Sequence, residues 1–316
     1  MSNLMKAVQI NEFGNINVLA LNNIKIPTPA DNEVLIKVKA AAVNPVDWKI
    51  REGNLQPLLN HELPLTLGWD VAGEVVAIGT DVTSLNVGDA VYSRPNITKN
   101  GSYAEYQAVA ADEVAIKPSS LSWQEAAGMP LAALTAWQSL YEHAALKAGD
   151  RVLIHGGSGA VGQFAIQLAK LSNAIVYTTT SSTNTDLVLG LGADYAIDYR
   201  KEDFSTLKDI DVVLDTIGGE TQENSWKTLK KGGHLVSIAQ TPAETSATQH
   251  DVSASFCFIQ PNREQLEKLA ELAELADAGQ LKVNIDSEFG LDQVSEAHTR
   301  SETGRAQGKI IINVSA

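Results

Sequence analysis

The sequence predicts an α/β protein in which a mostly β segment precedes a doubly wound parallel sheet. Three observations carry this. Prolines at 27, 29, 45, 57, 64, 95 and 118 punctuate the first third, which suits short strands and long loops. From about Trp123 the pattern changes, and apolar strand-like runs alternate with helix-like ones, as in a parallel sheet covered on both faces. Between one such strand and its helix lies Gly157-Ser-Gly159-Ala-Val-Gly162.

Taken in order, Val34-Leu-Ile-Lys-Val-Lys-Ala40 and Ala72 to Ile78 read as strands, the second ended by Gly79-Thr-Asp81. Asn86-Val-Gly-Asp-Ala-Val-Tyr92 is a turn feeding another strand. Ser122-Trp-Gln-Glu125 resembles a capping box, and the Ala-rich stretch behind it predicts helix as far as Ala148. Arg151 to His155 is a short buried strand and Gly159 to Leu171 a helix. Strand Ala174 to Thr178, helix Thr185 to Leu191, strand Val212 to Asp215, helix Gln222 to Leu229 and strand His234 to Ile238 complete the alternation. Asn262 to Gly279 has apolar residues at helical spacing, and Gly308 to Val314 closes the chain as a strand.

Composition removes several function classes. Twenty-four Lys and Arg against 38 Asp and Glu leave a net charge of −14 over 316 residues. Such a surface repels phosphate backbones, so no nucleic-acid partner is expected. The one cysteine, Cys257, cannot form an internal disulfide, and no thiol cluster of a structural zinc site exists. The N-terminal residues show no apolar leader, and the longest uncharged run, Val152 to Ala169, is broken by four glycines. The expectation is a cytoplasmic protein without a membrane partner.

The Gly157/Gly159/Gly162 pattern gains meaning from its place after a strand and at the start of a helix. The first glycine is expected to make the tight turn. The second lets the backbone approach a pyrophosphate, and the third lets helix and strand pack closely. About 20 residues on, where a carboxylate would bind the ribose of NAD, the chain offers hydroxyls, Ser181 and Ser182 among them, and its first acid is Asp186. Hydroxyls can donate to a 2′-phosphate that a carboxylate would repel, which favours NADPH; capping of the following helix is their other use.

At whole-chain scale the sequence resembles the zinc-independent quinone oxidoreductases, the zeta-crystallin-like branch of the medium-chain dehydrogenase/reductase superfamily. The resemblance rests on residues 43–53 (Val-Asn-Pro-Val-Asp-Trp-Lys-Ile-Arg-Glu-Gly), 67–75, 87–91, 101–106, Leu134-Thr-Ala-Trp137, 156–162, 192–194, 197–200 and Gly308-Lys-Ile310. It implies a GroES-like, mostly β catalytic domain from residues 1–125 and 263–316 around a Rossmann domain at 126–262. Where zinc-dependent relatives place Cys, His-Glu and Cys, this chain has Asp47, Trp69-Asp70 and Leu131, so no metal is expected.

Without a Lewis acid, the reaction implied is hydride transfer from NADPH to an already electrophilic carbon, in a quinone or an α,β-unsaturated carbonyl compound. A non-catalytic NADPH-binding protein and an enoyl-thioester reductase are the alternatives. The resemblance puts Asn44 and Thr135 beside the nicotinamide, and Asn44 can also polarise a substrate oxygen, although an Asn before Pro45 is equally a turn residue. Lys49 stands where many relatives carry Tyr; it is either a substitute cation or a solvated lysine. Tyr103 and His61 are further acid candidates that also suit structural roles.

The same resemblance places Ser158, Gly159, Ala160 and Val161 on the pyrophosphate and Tyr199 at the adenosine end. Ile217 falls beside the adenosine-side ribose, and Ile238, Phe256 and Phe258 near the nicotinamide half. Asn184 and Asp186 stand where relatives often hold the 2′-phosphate with Lys or Arg, leaving Arg200 or Lys201 as substitutes. The apolar run Phe256-Cys-Phe-Ile259 pairs across a two-fold axis in relatives, so a homodimer is expected.

Overall fold

The computed structural model describes residues 3–258 and 264–314. It divides into two compact units, Met1–Leu131 with Pro261–Gly279 and Val283–Ala316, and Ala132–Gln260 with Gln280–Lys282. The first unit runs on to Leu131 rather than ending near 125. Its helix Trp123–Gly128 lies tight on the last strand, where a Cβ on Gly128 would come within 3.4 Å of Ile311 and of Lys309.

The N-terminal part of the first unit contains β1 (Leu4–Ile10), β2 (Ala20–Lys25), β3 (Glu33–Val43), α1 (Pro45–Arg51), α2 (Gln56–Leu59) and β4 (Leu65–Thr66). It continues with β5 (Val71–Ile78), β6 (Ala90–Ser93), β7 (Tyr106–Ala110), β8 (Val114–Ile116) and α3 (Trp123–Gly128), and α4 (Pro130–Trp137) belongs to the second unit from Ala132 on. Helices α1 and α2 fall where the sequence suggested only irregular connection. Pro45 fixes the first helical φ of α1, and Asp47 accepts the Asn44 backbone N–H at 2.8 Å. The single helix expected over 123–148 is instead broken at Met129. Pro130, with no N–H to offer α3, starts α4, and a π-turn over Gln138–His143 ends the run.

The second unit holds β9 (Arg151–Ile154), α5 (Ala160–Leu171), β10 (Ile175–Thr180), α6 (Thr185–Gly190), β11 (Tyr195–Asp198), β12 (Ile210–Asp215), α7 (Gly219–Ser225), β13 (Leu229–Ser237), α8 (Glu244–Gln249) and β14 (Ser253–Phe256). All pairings are parallel and the order is β11-β10-β9-β12-β13-β14, the doubly wound arrangement. The helix expected at 222–229 starts earlier and ends at Ser225, because Trp226 turns into the core with Leu153, Val213 and Leu235. Of the apolar run after β13, Ile259 lies outside the described residues.

The chain then returns to the first unit through α9 (Glu264–Asp277), β15 (Ile285–Gly290), α10 (Val294–Glu302) and β16 (Lys309–Asn313). Asn262 and Arg263, expected to open α9, lie outside the described residues. The larger sheet of this unit runs β15-β16-β3-β5-β6-β8, with β7 also on β3. One edge of the long strand β3 serves β7 along Glu33–Lys37 and β16 along Ala40–Val43, while its other edge serves β5. Val34, Ile36 and Val38 face one core, and Ala41 and Val43 face another. Among the described residues no helix is long and apolar enough to cross a membrane.

Candidate active site

In the second unit the glycine turn follows β9, and each glycine is there for a different reason. Gly156 carries the left-handed conformation (φ +66°), so the tight turn belongs to it rather than to Gly157, as the motif suggested. Gly157 is required by contact instead. Its Cβ would lie 2.0 Å from Thr178 Oγ1, which is tied to the Ile154 carbonyl at 2.7 Å. A Cβ on Gly162 would meet Gly156 O at 2.3 Å, so close helix–strand packing depends on it. At Gly159 a Cβ would meet only Gly156 O, at 3.2 Å, and the space beyond is open.

Gly159 is also the N-cap of α5 and supplies no side-chain acceptor. The N–H groups of Ala160, Val161 and Gly162 therefore have no partner within the helix, at its positive end. Ser158 Oγ accepts from Thr180 Oγ1 (3.2 Å) and Asn184 Nδ2 (3.0 Å), leaving its own hydrogen to donate. An anionic pyrophosphate fits this cradle.

The remaining residues expected at the cofactor collect at the carboxyl ends of the same strands. Ser181 and Ser182 follow β10, and the Ser181 hydroxyl shares a hydrogen bond with Thr183 (2.8 Å). Tyr199 follows β11, hydrogen-bonds through its N–H to Thr180 O, and is 54% exposed with the Arg200 guanidinium 5.5 Å over its ring. Asp198, between Tyr199 and Ile197, is held below the usual carboxylate range by the Arg200 N–H and by Lys201, 3.3 Å away. Ile217 follows β12 and is 56% exposed; Ile238 follows β13; Phe256 ends β14, with Phe258 just beyond.

Buried Asp215 shapes this rim. Its Oδ1 accepts the N–H groups of Ile217 and Gly218, and its Oδ2 accepts from Gln222 and Ser237. Beside it, His155 is fully enclosed between Thr179 and Ser225, and burial pushes its imidazole down to about 4. Thr135 is a buried residue of α4 in this unit.

In the first unit, sheet register brings together three side chains distant in sequence. Ile310 lies opposite Val43, which sets Lys309 at the head of β16 near Asn44. Val71 lies opposite Ala41, which sets Asp70 at the same end. Lys309 Nζ reaches Asn44 Oδ1 at 2.6 Å and Asp70 Oδ2 at 3.0 Å, and Asn44 Nδ2 donates to Asp70 Oδ2 at 2.9 Å. Asp70 Oδ1 accepts the Leu131 N–H at 2.7 Å. Lys309 and Asp70 are fully buried and Asn44 nearly so. Asn44 does not cap α1 with its side chain, so its amide belongs wholly to this cluster. Burial raises the Asp70 carboxyl, and the Lys309 ammonium opposes that rise.

Asp47 stands on the other side of Asn44. Its Oδ2 accepts the Asn44 N–H (2.8 Å) and the Tyr103 hydroxyl (2.7 Å), while its buried Oδ1 has no partner among the described residues. Burial pushes this carboxyl up to about 7. Tyr103, fully buried and donating to Asp47, is held far above its ordinary value by burial and by Asp47. His61 is buried with Nε2 on the Ile97 carbonyl at 2.7 Å. Lys49, in the last turn of α1, is half-buried with its ammonium 5.7 Å over the Trp48 ring. The cation that meets Asn44 is Lys309, which was not singled out from the sequence. A lysine opening an Ile-Ile-Ile strand buried on both faces was the available sign, since such a charge must be paired.

The positions that hold zinc in zinc-dependent relatives do not fit a metal here. Trp69 Nε1 donates to the Lys99 carbonyl, both Asp70 oxygens are taken, and Leu131 has no ligating atom. An ammonium sits against Asp70, and Asp47, the other carboxylate at these positions, is held by the Asn44 N–H and the Tyr103 hydroxyl.

Comparison with known proteins identifies the family. Residues 30–119 match the family described as alcohol dehydrogenase GroES-like domain, and residues 191–312 match zinc-binding dehydrogenase. A chloroplastic quinone oxidoreductase of Triphysaria versicolor is 35% identical over 331 residues, 98% of this chain and 98% of the relative. A chloroplastic NADPH-dependent alkenal/one oxidoreductase of Arabidopsis thaliana is 38% identical over 325 residues, 98% of this chain and 79% of the relative. The solved quinone oxidoreductase from Coxiella burnetii superposes with a TM-score of 0.92 at 37% identity, covering 99% of this chain and all of that one. With a Rossmann sheet, a GroES-like domain and quinone oxidoreductases among its whole-length relatives, the chain belongs to the zinc-independent quinone oxidoreductase branch of the medium-chain dehydrogenase/reductase superfamily.

Proposed function

We propose that the protein is an NADPH-dependent, zinc-independent reductase of quinones or α,β-unsaturated carbonyl compounds. The observation that carries this reading is the pairing of an uncapped α5 N-terminus with hydroxyls, in place of a carboxylate, after β10. The names of the relatives, one a quinone oxidoreductase and one an NADPH-dependent alkenal/one oxidoreductase, support the same substrate class.

Bound NADPH supplies a hydride to the substrate, which also takes up one proton, and the nicotinamide leaves oxidised. In this reading the N–H groups of Ala160, Val161 and Gly162 and the Ser158 hydroxyl hold the pyrophosphate. Ser181, Ser182 and Arg200 take the 2′-phosphate, and Tyr199 lies along the adenosine. Ile217, Ile238, Phe256 and Phe258 offer apolar surface to the rest of the cofactor, with Thr135 and Asn44 at the nicotinamide. The second Asn44 Nδ2 hydrogen, not used by Asp70, donates to the substrate oxygen as negative charge builds there. Lys49 is a cation available to that oxygen.

The test follows the near-ultraviolet absorbance of NADPH with a panel of a naphthoquinone, phenanthrenequinone and alkenals. Turnover with at least one acceptor, faster with NADPH than with NADH, supports the proposal. Tight NADPH binding without turnover across the panel overturns it.

A further inference from the structure

We propose that Lys309 is a positioning residue that acts through Asn44, fixing which end of the amide is offered for reaction. The inference rests on the reading that Asn44 touches the substrate. An asparagine amide can sit in either of two orientations related by a flip, and its surroundings decide which is populated. Here the decision is chemical. Lys309 Nζ can only donate, so it must face Asn44 Oδ1 (2.6 Å). Asp70 accepts the Leu131 N–H and the Lys309 ammonium, so its Oδ2 must face Asn44 Nδ2 (2.9 Å). A flip would set N–H against ammonium and carbonyl against carboxylate, two repulsions in a site with no exposed surface on Lys309 or Asp70.

Two further consequences follow from the same contacts. One Nδ2 hydrogen is committed to Asp70, and the other has no acceptor among the described residues, so a single donor remains. Accepting a charge-assisted hydrogen bond at Oδ1 withdraws density from the amide and makes that remaining N–H a better donor. Lys309 itself stays behind Asn44 and touches no substrate.

The test is a double-mutant cycle with NADPH and phenanthrenequinone, using Asn44→Ala, the charge-neutral pair Asp70→Asn/Lys309→Met, and all three changes together. Asp70→Asn keeps an acceptor for the Leu131 N–H, so the pair removes both charges without stranding either one. Asn44→Ala is expected to lower kcat about 100-fold, the size of one lost transition-state donor. The Asp70/Lys309 pair is expected to lower kcat about tenfold with little change in the quinone KM, and to cost less than about twofold once Asn44 is gone. A second readout is the Asn44 side-chain amide signal in nitrogen–proton spectra of asparagine-labelled protein: slowly exchanging in the wild type, and fast in the Asp70→Asn/Lys309→Met variant. Fully multiplicative kcat losses, or an amide signal unmoved by that pair, overturn the inference alone. An Asn44→Ala enzyme with wild-type kcat overturns both the inference and the role given to Asn44.

Discussion

Lys309 and Asp70, 239 residues apart in the chain, form an ion pair at 3.0 Å with neither side chain exposed. The pair exists because β16, β3 and β5 are neighbours in one sheet, and their registers bring the start of β16 to the end of β3 and the start of β5. Charges so deep are expensive to desolvate, and the cost is offset only by the mutual attraction and the remaining hydrogen bonds. Asn44 and the Leu131 N–H supply those bonds.

Removing one partner should therefore hurt far more than removing both charges. Lys309→Met is expected to cost about 3–5 kcal/mol of stability by leaving the Asp70 carboxylate without a cation. Adding Asp70→Asn should restore most of that loss. Chemical denaturation of the three proteins checks the order, and a double variant less stable than Lys309→Met contradicts it.

Asp47 gives the protein a pH dependence of defined sign. Its carboxyl sits at about 7 in the folded protein against about 4 when unfolded, so the folded state holds the extra proton between those values. The stability it contributes is complete below about pH 4 and is lost as the pH rises through about 7. Asp47→Asn, which keeps an oxygen for Asn44 N–H and Tyr103, should remove that loss. The thermal midpoint of the variant relative to wild type should rise from pH 5 to pH 8, within the window about 4–7 bracketed above and just past it.

The buried imidazoles act in the opposite direction. Burial brings His155 to about 4 and His298, beside Arg51, to about 3, from an ordinary value near 6.5. The unfolded chain takes up these protons first, so their contribution is complete above about pH 6.5 and lost as the pH falls toward 4 and 3. Acid unfolding of His155→Gln should accordingly show a shallower slope than wild type below about pH 6.5. An unchanged slope would remove His155 from the account.

The glycine turn separates fold from binding. Gly157→Ala drives a Cβ into Thr178 Oγ1, so it should lower stability by about 1–3 kcal/mol as well as weaken NADPH binding. Gly159→Ala meets only one backbone oxygen, at 3.2 Å, and fills the space expected for the pyrophosphate. It should change stability by less than about 1 kcal/mol while weakening NADPH at least about tenfold. Melting curves and calorimetric titration of the two variants distinguish the two roles.

Strand β14 ends the six-stranded sheet of the second unit, with Phe256 37% exposed at its tip. An edge of this kind invites pairing, and we propose that a second copy of the chain covers it. Sedimentation at micromolar concentration should then report twice the mass of one chain; a single-chain mass under those conditions removes the dimer.

Much of the second unit was readable in the sequence because its signals are local. Strand-like runs such as Arg151–His155 and Val212–Asp215 alternate with helices, and the glycine motif sits at one junction between them. Other features depend on choices that local pattern does not make. The Asn44-Pro45 pair reads as a turn, yet Pro45 at the first helical position and Asp47 two residues later open α1. The Ala-rich stretch after Ser122 looks continuous, but Pro130 divides it. The Lys309 contact is set by strand register across the whole chain; a lysine heading an Ile-Ile-Ile strand signals a paired charge but does not name Asn44 and Asp70 as its partners.

The central claim is that a nicotinamide-bound hydride reaches an electrophilic acceptor without help from a metal ion. Its most direct measurement is the rate of NADPH oxidation with phenanthrenequinone after exhaustive dialysis against a chelator, with the metal content of the same sample determined. The account predicts undiminished turnover, one NADPH consumed per quinone reduced, in metal-free enzyme. Turnover that disappears on chelation and returns with stoichiometric zinc would contradict it.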